Sequence, residues 1–115
     1  MADEDCTIET VGGILADATA RRILTAASQH PMSAESLSEA ADASKPTIYR
    51  RLAELRRCDL LVEQTRLDPD AGHHHTVYGT DLDRIVVELN AHGFEFDLEH
   101  HEAMADRFTR LIEGM

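Results

Sequence analysis

The chain has 115 residues, with 22 Asp and Glu against 11 Lys and Arg, for a formal net charge of -11 at neutral pH. That length holds one domain with a modest core, and no apolar run is long enough for a membrane span or a signal-peptide core, so a soluble, cytoplasmic protein is expected. Aromatics are only 4% and tryptophan is absent, so the core must come from Ala, Leu, Ile and Val, which favours a helical domain that gains stability by dimerising.

Residues 1–10 are polar, acidic and without a clear period, and read as a flexible arm. The apolar pattern begins at Val11, and Gly12-Gly13 argues against one rigid helix from there. Asp17 is placed to cap a helix over 18–28 whose Ala20, Ile23, Leu24 and Ala27 face the core. Pro31 ends it by biasing His30 toward an extended backbone, and Met32 is expected in a short β-bridge or as a staple into the next helix.

Ser33 can cap a helix over 34–41, with Glu35 in its first turn and Leu37, Ala40 and Ala41 as a narrow apolar stripe. Asp42 and Ala43 interrupt that pattern. Ser44 then offers a second N-cap, with Pro46 in the following turn, where its missing N–H costs nothing. Ile48, Leu52 and Leu55 recur at i, i+4 and i+7 and mark a buried face, while Lys45, Thr47, Tyr49, Arg50, Arg56 and Arg57 fall mainly off it. Five of the eleven basic residues lie between Lys45 and Arg57, a local density that points to nucleic acid.

Past Arg57 the period changes. Residues 60–66 and 73–80 are β-prone runs around Leu67-Asp68-Pro69-Asp70-Ala71-Gly72, whose Pro, Asp and Gly make a turn. Asp81 is placed to cap a helix over 82–91 with Ile85, Val86 and Leu89 apolar, and Gly93 breaks it. A last helix is expected over 97–113, where Leu98, Met104 or Ala105, Phe108, Leu111 and Ile112 form a long stripe suited to pairing with a second subunit.

Ala43-Ser44-Lys45-Pro46-Thr47-Ile48-Tyr49-Arg50-Arg51-Leu52 resembles the recognition helix of prokaryotic, ArsR-like winged helix-turn-helix transcriptional regulators. Ile14 to Leu24 is similar to the start of the first helix in that family, and the resemblance covers roughly residues 11 to 80. One departure is Asp42, where the family usually has Gly; Asp tolerates a left-handed backbone better than most residues. The resemblance implies a mainly α fold with a small β-hairpin: a winged helix-turn-helix over 11–80, then C-terminal dimerisation helices over 81–115. It also implies a homodimer on double-stranded DNA, with two recognition helices about one turn, roughly 34 Å, apart and the hairpin as a wing beside the duplex.

The acidity conflicts with DNA binding only at first sight. Lys45 is the only lysine and acid is spread over every segment, which resembles proteins of salt-in halophilic archaea. At molar salt the Debye length is about 3 Å, so distant carboxylates hardly matter and close contacts do. Binding there rests less on counterion release than on direct hydrogen bonds and shape fit.

The candidate DNA contacts are Lys45, Thr47, Tyr49, Arg50 and Arg51, with Ser44 as cap and phosphate donor, and Arg66, His73, His74 and His75 from the wing. An arginine can fork onto guanine O6 and N7, and Thr or Tyr can meet a thymine methyl or a phosphate oxygen. Spacing does not decide which of Arg50 and Arg51 reads bases. His73 and His75 point to one side of a strand and His74 to the other, so the run does not converge on one ion. His92, Asp97, His100, His101 and Glu102 form a second cluster, because some ArsR-like sensors bind zinc between paired C-terminal helices; no clean ligand pattern emerges, and neither metal ligands nor a cofactor are assigned.

Cys6 and Cys58 lack C-x-x-C spacing and are expected as reduced thiols. No catalytic Ser-His-Asp context, phosphate-cradling Gly loop or paired carboxylates suggest an enzyme. Two alternatives to a plain regulator remain: a metal- or redox-responsive sensor of the same fold, and an acidic protein-interaction module.

Overall fold

The computed structural model describes residues 6–68 and 73–101. The chain divides into two compact units, Met1–Thr80 and Asp81–Met115. The first unit runs α1 (Ile8–Ala16), α2 (Ala18–Gln29), α3 (Ala34–Ala41), α4 (Lys45–Arg57), β1 (Leu61–Asp68) and β2 (His73–Thr80). The second contains β3 (Leu82–Asn90) and β4 (Gly93–His100).

Each helix of the first unit starts at a side-chain cap. Thr7 accepts the Thr10 N–H, Asp17 that of Ala20, Ser33 that of Ser36 and Ser44 that of Thr47, relieving donors a helix start leaves orphaned. α1 therefore begins at Ile8, inside the stretch expected as an arm, and runs through Gly12-Gly13, because Val11 and Ile14 are buried on one face and hold it.

α3 and α4, the two helices of the helix-turn-helix, end by the same device with Asp in place of Gly. Asp42 (φ 52°) and Asp59 (φ 54°) are left-handed. Around Asp42 the Ala43 and Asp42 N–H groups reach back to the carbonyls of Ser38 and Glu39; around Asp59 those of Leu60 and Asp59 reach Leu55 and Arg56. These are the paired bonds of a Schellman closure. At the end of α4 its hydrophobic contact is supplied by Leu55 and Leu60, both fully buried.

The periodic residues meet in one core: Ile23 and Ala27 of α2, Leu37 of α3, and Ile48, Leu52 and Leu55 of α4, closed below by Leu60, Leu61, Val77 and Tyr78. β1 and β2 form the expected antiparallel hairpin, with Arg66 opposite His75 and Leu67 opposite His74. Met32 bridges to Tyr78, with N–H to carbonyl distances of 2.9 and 2.8 Å, tying the α2–α3 connection to the wing. Thr80 Oγ1 donates to the Leu24 carbonyl at 2.7 Å and fastens the base of the hairpin to α2.

Two expectations are overturned. Residues 82–91 are not helical, and 97–100 belong to a strand: β3 and β4 pair antiparallel, with Asn90 opposite Gly93 at the turn. Ile85, Val86 and Val87 are β-branched in succession, which favours a pleated backbone over a helix. The turn is set by the Asn90 side chain, which accepts the His92 N–H at 2.7 Å, and by Gly93 at φ +118°, open to glycine. Of the expected dimer-interface residues, Leu98 lies on β4, while Met104, Phe108, Leu111 and Ile112 lie outside the described residues.

The second correction concerns the cysteines. Cys6, just ahead of α1, and Cys58, at the C-terminal cap of α4, form a disulfide with a Cα–Cα distance of 4.9 Å, within the range that bond requires. Burial of Cys58 beside the start of α1 brings together two residues far apart in the chain.

Candidate nucleic-acid interface

α4 owes its two-sidedness to its period. With Ile48, Leu52 and Leu55 in the core, Lys45, Pro46, Tyr49, Arg50, Ala53, Arg56 and Arg57 are left exposed. Tyr49 keeps 56% of its surface in solvent, an unusual placement for an aromatic residue unless its ring has something to meet.

At the N-terminal end of α4 a short polar chain runs along this face. Ser44 Oγ donates to Thr47 Oγ1 at 3.0 Å, and Arg50 Nη2 donates to the same oxygen at 3.3 Å. The cap, the threonine and the arginine are thus held as a group beside the positive end of the helix dipole, a place that favours phosphate.

The cations of α4 fall into two kinds. Arg51 donates from Nε to Asp17 at 2.9 Å and from Nη1 to Glu54 at 3.1 Å, and Arg56 lies 3.6 Å from Glu63 of β1. Both are engaged within the protein. Among the described residues no carboxylate pairs with Lys45, Arg50 or Arg57. Hydrogen bonding to Asp17, against some desolvation, raises the Arg51 pKa further.

Asp17 was legible only as a cap; its bond to Arg51 depends on how α2 packs against α4. Its carboxyl is held below the ordinary carboxylate range, first by the Ala20 N–H and, against some desolvation, by Arg51. Tyr78, under the wing, is pushed the other way: burial raises its phenol, and the neighbouring Glu63 carboxylate adds to the effect.

In the wing, Arg66 and His75 are directly opposite and share a face, while His74 lies on the other face opposite Leu67. Arg66, His74 and His75 are exposed. His73 pairs through its backbone with Asp68. The second histidine cluster does not assemble: His92 sits at the β3–β4 turn and His100 at the far end of β4. His100 instead faces Asp81, and His101 faces Asp83 at 3.1 Å. Glu102 lies outside the described residues, and among those described no three potential metal ligands converge.

Four helices, with a cationic α4 behind a tight turn and a hairpin fastened beside it, fit a winged helix-turn-helix, a fold of DNA-binding regulators. Residues 15–65 match the family model of a helix-turn-helix domain, a span from the end of α1 into β1. No curated protein matches the chain. Among the described residues no helix is long and apolar enough to cross a membrane.

Proposed function

We propose that the chain is a sequence-specific transcriptional regulator of the ArsR-like, haloarchaeal type, acting on double-stranded DNA as a homodimer at high salt. The observation that carries this reading is the outward face of α4: Lys45, Thr47, Tyr49 and Arg50 side by side, two of them cations with no carboxylate partner, in a chain of net charge -11. In the major groove Arg50 reads a base edge, preferably guanine, and Ser44, Lys45 and Thr47 hold phosphate. Tyr49 packs against a thymine methyl or the backbone. Arg51 positions α4 through Asp17 rather than reading bases. Arg66, His74 and His75, with His73 at the tip, lie along the flanking backbone.

Selection of bound duplexes from a random pool in about molar KCl, where charge steering is screened, tests this. Recovery of an inverted repeat with half-sites one turn apart supports it, and Arg50→Ala should then lose that selectivity. Folded protein that recovers no sequence overturns it in favour of the protein-interaction module.

A redox-responsive version is a second reading. The Cys6–Cys58 disulfide joins the start of α1 to the C-terminal end of α4, so a change in affinity for the selected duplex on reduction would support it.

A further inference from the structure

The β3–β4 register sorts the hairpin's side chains by character. Ile85, Val87 and Leu89 stand opposite Leu98, Phe96 and Phe94 and share one face. Arg84, Val86 and Glu88 stand opposite Glu99, Asp97 and Glu95 on the other. An irregularity between Leu82 and Arg84 shifts the frame by one residue, which brings Leu82 onto the apolar face as well.

That face has no interior. Among the described residues every buried side chain belongs to Met1–Thr80. Along the hairpin exposure is greatest near the turn, at Val87 50%, Leu89 70% and Phe94 65%. A two-stranded hairpin is marginal in water without something packed on its apolar side.

We propose that this face is the subunit interface, covered by the same face of a second copy of the chain. The carboxylates on the reverse side exclude DNA and anionic membranes as occupants, since Glu88, Glu95, Asp97 and Glu99 would lie beside phosphate. Two hairpins stacked apolar to apolar lie about 10 Å apart, with both acidic faces directed outward into solvent. A second copy is also what the DNA reading above requires, on which this inference rests for its function: one α4 covers a half-site, and a pseudo-palindrome needs two. The interface thus lies on the hairpin rather than on C-terminal helices.

The test is the mass of the full chain by sedimentation equilibrium in about molar KCl, over roughly 1 to 100 μM, the range expected of a small interface. Wild type should move from one to two chain masses, and Leu89→Glu and Phe94→Glu should each remain at one. Glu88→Gln, on the reverse face, should dimerise like wild type. Far-UV circular dichroism and the melting transition should be unchanged in the Phe94→Glu protein, whose side chain is already mostly in solvent. Wild type that stays monomeric throughout, or a folded Phe94→Glu protein as dimeric as wild type, overturns the proposal. The mass reading is independent of DNA: failure to recover an operator leaves it standing, and a monomer that still selects half-sites through Arg50 removes the interface alone.

Discussion

Arg51 of α4 donates through Nε to Asp17 Oδ2 at 2.9 Å, and that same oxygen accepts the Ala20 N–H at 2.7 Å. One carboxylate therefore caps α2 and tethers the helix that carries the candidate DNA contacts. This divides the adjacent arginines: Arg51 holds α4 in place, and Arg50 stands in front of it.

Arg50→Ala and Arg51→Ala should separate binding from stability. Arg50→Ala should change the melting temperature little, since exposed substitutions outside such networks stay within about 0.5 kcal/mol, while selective duplex binding is lost. Arg51→Ala should cost roughly 1 kcal/mol, because its pairs are only part-buried, a drop of about 4 to 8 °C in a domain this small. Thermal melts and duplex titration on both variants check the pair; equal melting temperatures would count against the tether.

Acid should dissolve the tether. The Asp17 carboxyl is depressed in the folded state, chiefly by the Ala20 N–H, so its contribution is complete above the unfolded value near 4 and disappears as pH falls through the lower folded value. Asp17→Asn keeps a good N-cap but weakens the Arg51 pairing. Urea unfolding of wild type and variant should differ at pH 7 and converge below about pH 4; a constant difference would show that the charge is not responsible.

Reduction of the disulfide should destabilise the first unit. Cys6 and Cys58 are separated by 52 positions, and loop-closure entropy for that length is about 4 kcal/mol at 25 °C. The urea midpoint should fall on adding dithiothreitol, and Cys6→Ser should show the lower midpoint with or without it. A midpoint indifferent to reductant would mean that the thiols are unpaired in solution.

The left-handed aspartates can be tested by their shape. At Asp59 the backbone favours glycine, so Asp59→Gly should be neutral or stabilising by up to about 1 kcal/mol, while β-branched Asp59→Val should lose roughly 1 to 2 kcal/mol. Chemical denaturation resolves differences of this size. Equal stability of the two variants would remove the Schellman closure as the reason α4 ends where it does.

The C-terminal region shows how a pattern can fit two periods. Ile85, Val86 and Leu89 satisfy a helical spacing, but Ile85, Val87 and Leu89 satisfy a strand spacing equally well, and Phe94, Phe96 and Leu98 continue it. Counting positions within 82–91 alone does not choose between them. Pairing across the Asn90–Gly93 turn does, because it places all six on one side of a sheet.

The sequence by itself determined the helix-turn-helix and the wing: Asp17, Ser33 and Ser44 act on donors three residues away, and the spacing of Ile48, Leu52 and Leu55 is a property of one helix. Such signals are local and need no partner. Tertiary structure decided the pairing of Cys6 with Cys58, the strand character of 82–100, and the difference between Arg50 and Arg51. Each depends on contacts between residues distant in the chain; Asp17 lies 34 positions from Arg51, and only the packing of α2 against α4 brings that carboxylate to one guanidinium and leaves its neighbour in solvent.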